Sequence, residues 1–268
     1  MIDVVLLTKN SFSSSPVFKE CLDRVYREIP VNRLIVVDAF SSDETLRFLR
    51  NYPDVEIHQI HGNRAVARQY AIKLVDTDWF MFVDDDVILC DGWFSRASKY
   101  VESIEDLGLL WGWDVIANRH SRNRMKIMYY LRRMDEYELM RRNFERRGGT
   151  HDTLVRKEAV EGIKIPSDLH VYEDWYIKGY VEERGFRALC PRDVYCFHHL
   201  NLSYTPHGVA QIARLQRKYG LQSGLVTLRN FVLAVPKSLA ILLVSGDLKA
   251  SSDQLRLYVY NFMGRFMW

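Results

Sequence analysis

Residues 4–7 form an apolar run that stops at Thr8-Lys9-Asn10 and a serine-rich turn, and runs of the same kind return at 34–37 and 79–83. These runs are short and apolar on both faces, the pattern of strands covered on both sides rather than of a half-solvated hairpin. Between them the apolar residues recur at helical spacing. Phe18, Cys21, Leu22 and Val25 predict one helix, Leu46 and Leu49 a short second one opened by Ser42 or Asp43, and residues 63–74 a third. Val55 and Ile57 add a short strand. Strand alternating with helix predicts an α/β fold built on an open, mostly parallel sheet flanked by helices. Such sheets place their binding loops beyond the carboxyl ends of the strands. Thr8, Asp38 and residues 84–86 all stand at such ends, so three segments are expected to meet in one crevice.

The second half is less regular. Residues 109–113 predict a strand, and the strongly basic stretch 119–147 reads as helix with Tyr137, Met140 and Phe144 on a shared face, where Gly148-Gly149 ends the helix or starts a loop. Residues 174–183 read as helix, 194–197 as a strand closing at His198, and the chain from 208 onward as helical. The division expected is a catalytic domain over 1–200, with halves of about 1–115 and 116–200, and a helical C-terminal extension over 201–268.

With 48% hydrophobic and 26% charged residues among 268, the chain is globular rather than disordered. Its net charge of +3 selects no class of partner. Cys21, Cys90, Cys190 and Cys196 lack zinc-site spacing and sit among apolar residues, as small buried hydrophobes in a reducing, cytoplasmic compartment do. The first strand begins at once, so no signal peptide is expected. No run reaches the length of about eighteen uncharged apolar residues that a membrane-spanning helix requires. The apolar stretch 225–244 is broken by Arg229, Pro236 and Lys237, and the chain ends through aromatic residues to Trp268. That stretch and the basic segment 119–147 suit either an ordinary packed and solvated subdomain or an element lying peripherally on the inner face of a membrane. No nucleic-acid motif accompanies the basic residues, and no nucleic acid is expected as partner.

The densest chemistry is Asp84-Asp85-Asp86, directly after the apolar strand 79–83. Adjacent carboxylates at a strand end repel one another, and a hard divalent cation relieves that cost. Alternation along an extended chain sends Asp84 and Asp86 to one side and Asp85 to the other. A solvated acidic loop is the plainer reading of the same residues.

In order along the chain, Thr8-Lys9-Asn10, the segment from Asp38 to Thr45, Ala67-Arg68-Gln69, Asp84-Asp85-Asp86, Gly148-Gly149 with Leu154 to Lys157, Glu173-Asp174-Trp175 and Arg184 to Arg187 resemble the successive motifs of family 2 glycosyltransferases. The resemblance covers about the first 200 residues. It implies the GT-A fold, a Rossmann-like sheet, and transfer of a sugar from a nucleotide-diphosphate donor with Mg or Mn. It departs from the family pattern at Lys9, where relatives often carry an aromatic residue, and at Ala39 and Phe40 in the base-binding segment. Gln211 to Leu215 resembles the motif of processive members without its tryptophan.

Carried onto this chain, the resemblance implies Thr8, Asp38, Arg68, Asp84 and Asp85 as donor-binding residues and Asp84, Asp86 and His198 as metal ligands. Asp174 is the expected general base of an inverting transfer, with its proton affinity raised by Glu173. Gly149, His151, Asp152, Glu173 and Trp175 are expected on the acceptor side, where a saccharide or lipid-linked acceptor would bind. Plainer readings stand beside these: Asp38 as a turn cap, Arg68 as a surface arginine, Asp174 as a helix cap, His198 as a packed loop histidine. A nucleotidyltransferase and an inactive saccharide- or lipid-binding protein on the same fold are the competing functions.

Overall fold

The computed structural model describes residues 1–200 and 204–267 and, within these, all side chains except those of 128–132. Trp268 lies outside the described residues. The chain divides into two compact units, Met1–Val115 with Glu136–His199, and Ile116–Asp135 with Leu200–Trp268.

The elements run β1 (Ile2–Thr8), α1 (Ser11–Ser14), α2 (Phe18–Glu28), β2 (Val31–Asp38), α3 (Thr45–Leu49), β3 (Val55–Gln59), α4 (Arg64–Leu74), β4 (Trp79–Val83), β5 (Val87–Leu89), α5 (Trp93–Ser103), β6 (Leu107–Trp111) and β7 (Trp113–Ile116). They continue as α6 (Arg119–Arg132), α7 (Glu136–Arg147), β8 (Asp152–Arg156), a 3-10 turn at Glu158–Val160, α8 (Glu173–Glu183), β9 (Arg187–Leu189), β10 (Tyr195–His198), α9 (Pro206–Lys218), α10 (Gly224–Val232), α11 (Ala234–Ser245) and α12 (Leu248–Phe266).

In the first unit a seven-stranded sheet has the order β3-β2-β1-β4-β8-β6-β9. The strands β1 to β4 and the pair β6 and β9 are parallel, while β8 runs antiparallel to both β4 and β6. The sheet is therefore mostly parallel, as the doubly apolar runs required. Val4, Leu6, Leu34 and Val36 on one face pack against Phe18, Cys21, Leu22 and Val25 of α2. Parallel pairing stops at Thr8 opposite Asp38, which puts both polar residues at the same edge of the sheet. A small second sheet, β5-β10-β7, lies beside this edge.

Two sequence expectations need correction. The strand expected over 109–113 is two strands interrupted at Gly112, where a Cβ would come within 2.0 Å of Asp152 Oδ2 and 2.7 Å of Trp93 Nε1. The hydrogen bond from Trp93 Nε1 to Asp152 Oδ2, 2.9 Å, occupies the space a side chain would need. The helix expected over 119–147 is two helices that belong to different units, separated after Arg133, whose φ is +50°. Ile127 packs with Ile241 and Ala250, whereas Leu139, Met140 and Phe144 are buried in the first unit, so no continuous helix face serves both cores.

In the second unit α12 packs along α9, α10 and α11. Thr205 caps α9, Ser223 caps α10, and Asp247 caps α12 by accepting from Ala250 N. The same Asp247 carboxylate meets His120 at 2.7 Å and accepts from Asn123 at 3.0 Å, fastening α6 to the start of α12. Burial opposes ionisation of Asp247, but these donors hold its carboxyl well below the usual range.

Candidate active site

The expected crevice exists. A cavity of about 520 Å³ opens at the carboxyl ends of β1, β2 and β4, and its lining includes Thr8, Asp38, Arg68, Asp84, Asp85 and Asp86. A larger cavity of about 1160 Å³ lies elsewhere, between α4 and the 3-10 turn, and contains none of these residues.

Asp38 is fully buried, and both of its oxygens are engaged. Oδ1 accepts from Thr8 Oγ1 at 2.9 Å and from Ser41 Oγ, while Oδ2 accepts from Ser41 N at 2.8 Å and Gln59 Nε2 at 3.1 Å. One carboxylate thus binds β1, β2, β3 and the following loop into a fixed rim. Asn10, at φ +53°, accepts from Ser42 N with its side chain and completes the rim. Phe40, also at positive φ, stacks on His61 with centroids 4.1 Å apart.

Arg68 is not a surface residue: it is 1% exposed on α4, a helix capped by Asn63. Its Nη2 bonds Asp84 Oδ1 at 3.0 Å, its Nε bonds Glu173 Oε1 at 3.3 Å, and the guanidinium lies over the Phe82 ring. Its Nη1 is buried without a partner. One arginine therefore links α4, the acidic turn and the start of α8, with one donor to spare.

Glu173 is buried, and burial followed by the charge of Asp174 pushes its carboxyl upward against the pull of Arg68. Asp174 instead bonds Arg147 Nε through Oδ2 at 3.2 Å and Trp175 N through Oδ1 at 2.9 Å. Gly148, at φ +84°, lets the chain pass so close that a Cβ would lie 2.6 Å from the Asp174 carbonyl.

Behind the acidic turn is a buried polar network that the sequence did not predict. His198 faces Asp86 Oδ1 through Nε2 at 3.2 Å and Asp114 Oδ2 through Nδ1 at 3.3 Å. Burial opposes its protonation, but the two carboxylates outweigh that and lift the imidazole to about 10. Burial likewise opposes ionisation of Asp114, yet the hydrogen bond and charge of His198 hold it well below the usual carboxylate range. His151 Nε2 accepts from Trp111 Nε1 at 3.0 Å, and its Nδ1 lies 2.8 Å from Asp152 Oδ1. An indole N–H only donates, so the His151 proton sits on Nδ1. The acidic neighbours favour a second proton, but Trp111 occupies the nitrogen that would take it.

Gly149, His151 and Asp152, expected beside an acceptor, are packed into this inner layer. Asp152 is fully buried, and a Cβ on Gly149 would fall 2.1 Å from Trp111 Nε1. Trp175 is half-buried on α8. The one sequence signal for the missed members was Asp114, a lone carboxylate in an apolar strand, which requires a buried partner.

The donor set suits a hard divalent cation. Burial first, and then the Asp86 and Asp84 charges beside it, raise the Asp85 carboxyl to about 6. Asp86 Oδ1 and His198 Nε2 pair at 3.2 Å at the acidic turn, and Asp114 orients the imidazole from behind.

Residues 3–162 match the family model described as glycosyl transferase family 2. No curated protein matches the sequence. Among solved structures, the chain is similar to the mannosyltransferase PcManGT from Pyrobaculum calidifontis, in complex with GDP-Man and Mn2+, at TM-score 0.61 and 16% identity over 98% of this chain and 85% of that one. It is also similar to S. aureus TarS 1-349 in complex with UDP-GlcNAc, at TM-score 0.59 and 14% identity over 97% and 72%. Glucosyl-3-phosphoglycerate synthase from Mycobacterium tuberculosis, in complex with Mn2+ and UDP-glucose, aligns at TM-score 0.54 and 16% identity over 84% and 80%. At these identities the structures bear on the fold, which is theirs, and the family model covers more than half of the sequence: the chain belongs to glycosyl transferase family 2 and has the GT-A fold.

Proposed function

We propose that the protein transfers a sugar from a nucleotide-diphosphate donor to an acceptor hydroxyl or lipid phosphate, with inversion, and that a divalent cation at the acidic turn assists. The observation that carries this reading is the single crevice lined by Thr8, Asp38, Arg68 and the three aspartates. Complexes of similar folds with GDP-Man, UDP-GlcNAc and UDP-glucose support it. Residues 1–200 would form the catalytic domain and 201–268 its helical extension.

Asp84, Asp86 and, once its Nε2 proton is released, His198 would hold the cation, which when bound neutralises the leaving diphosphate. Asp85, which also lines the crevice, would face the donor. Arg68 offers its unpaired Nη1 to a phosphate oxygen while Asp84 and Glu173 fix its plane. The rim bound by Asp38 and Thr8 shapes the nucleoside end. Asp174 accepts the proton of the acceptor hydroxyl as that oxygen bonds the anomeric carbon from the face opposite the leaving group. The carbon–oxygen bond to the diphosphate breaks in the same step, and the nucleoside diphosphate departs with the electron pair. Glu173 and Trp175 bound the acceptor side.

The contact of Arg147 Nε with Asp174 Oδ2 favours a second reading, a saccharide- or lipid-binding protein without turnover, because it occupies an oxygen that a base would turn to the acceptor. Calorimetric titration of a nucleotide-sugar panel, with Mn2+ and with chelator, separates the possibilities when paired with Asp84→Ala/Asp86→Ala and Asp174→Asn. The transferase reading expects one donor to bind with metal, binding lost in the double aspartate variant, and binding kept but transfer lost in Asp174→Asn. Folded protein that binds no donor would sink it. Donor binding with product formation unchanged in Asp174→Asn would remove Asp174 as the base.

A further inference from the structure

The charge of this chain is unevenly divided. The second unit contains fourteen Lys and Arg against three Asp, a formal charge of +11, while the first unit, with 23 Lys and Arg against 31 Asp and Glu, carries −8. The basic unit also contains an inverted helix pair. Where α10 and α11 pack inward they bury Thr227, Ala234, Ser238 and Ile241. Outward they present Leu225, Val232, Leu239, Leu243 and Val244, with Leu225 80% and Leu243 85% exposed, and Leu248 beyond them 72% exposed. A helix pair folded for water alone buries its leucines and exposes its hydroxyls. Here the larger apolar side chains face outward, contiguous along two successive helices, and such a patch on a folded protein marks an interaction surface.

We propose that the outward face of α10 and α11 docks in the interfacial layer of a bilayer containing anionic phospholipid. The helices are bent by 53° where they meet, and no single helix among the described residues is long and apolar enough to cross a membrane. An apolar face of this kind lies in the plane of the interface. From 224 to 246 the sequence contains no acidic residue, and exposed Arg229 and Lys249 flank the leucines, so the surface is apolar in the middle and cationic at its margins. Headgroup phosphates supply the anions that these margins need. A second copy does not: a two-fold contact sets the same patch against itself, cation against cation. Nucleic acid would satisfy the arginines and leave the leucines in water.

The test is flotation of the full-length protein with phosphatidylcholine vesicles, with and without phosphatidylglycerol, at low and high salt. The expected result is flotation with the anionic vesicles, weakened by salt. Leu239→Asp/Leu243→Asp removes three apolar carbons at each site and should lower the partition by at least about a thousandfold, since each interfacial methylene is worth about a factor of four. Arg229→Glu/Lys249→Glu should abolish the preference for phosphatidylglycerol. Both pairs are solvent-facing, so circular dichroism and thermal midpoint should be unchanged, and donor titration keeps this test separate from that of the active site. Native protein that stays at the bottom of the gradient with either vesicle overturns the proposal. Equal flotation of the leucine variant overturns it too, as does sedimentation velocity showing a native dimer that the leucine variant disperses.

Discussion

Arg68 is the strongest single test of how the site is assembled. It is 1% exposed and neutralises Asp84 and Glu173, two carboxylates brought together from β4 and α8. Arg68→Leu keeps most of the volume and removes the charge, leaving Glu173, 3% exposed, without its cation. Breaking a buried pair from one side costs about 3–5 kcal/mol, mostly the desolvation of the abandoned partner. Part of that should return in Arg68→Leu/Glu173→Gln, because the second change removes the stranded charge. The pH dependence has a definite sign. The Glu173 carboxyl is already raised by burial, so its ionisation costs stability as pH rises through its folded value, and without Arg68 that cost grows. The gap between variant and native protein should therefore be widest at neutral pH and narrow in mild acid. Urea unfolding at several pH values measures all three quantities. A loss below about 1 kcal/mol in the single variant, or strict additivity in the double, would refute the bridging role.

Asp114→Asn keeps the shape behind His198 but removes the charge that orients it, and Mn2+ affinity, followed by electron paramagnetic resonance, should fall about 10- to 100-fold while Mn2+-independent properties stay. Gly149→Ala places a methyl group against the Trp111 indole, which is stacked on Phe144, and should cost about 1–3 kcal/mol in urea unfolding. Asp43 accepts from Thr45 N and Ser13 N, and although burial opposes ionisation these donors depress its carboxyl to about 2. Its contribution is therefore present above about pH 4 and lost as pH falls through about 2, so Asp43→Asn should be less stable than native protein at neutral pH by about 1 kcal/mol, with the difference vanishing in strong acid.

The sheet was legible because each parallel strand is buried on both faces and reads as an uninterrupted apolar run, and the crevice followed from where those runs stop. Less legible was anything decided by contacts between distant segments. Gly112 looked like an interior strand residue because its reason, the Trp93–Asp152 hydrogen bond, spans 59 positions. The stretch 119–147 kept one periodicity and one charge sign, and nothing local reveals that Ile127 and Phe144 belong to separate cores.

The same limit shaped the reading of Asp38 and of His151-Asp152. A strand-end aspartate and an adjacent His-Asp pair both resemble ligand-binding residues in sequence, because free carboxylates and imidazoles at such positions have ligands to bind. Here those groups already have partners. Asp38 satisfies donors from Thr8, Ser41 and Gln59, and His151 and Asp152 satisfy Trp111 and Trp93. Among the residues that line the crevice, what stays unsatisfied is narrower: the Arg68 Nη1 donor, and the Asp85 carboxyl that burial and the adjacent aspartates push up. A buried donor left over beside clustered carboxylates suits an anion and a cation together, and the proposed metal-bound diphosphate would supply both. The residues around them hold that pair of demands in place, and for that reason mutations at Asp38 or Asp152 should lower stability as well as binding, whereas Asp85→Asn, which removes a carboxylate whose ionisation costs stability at neutral pH, should weaken binding while stability holds or rises.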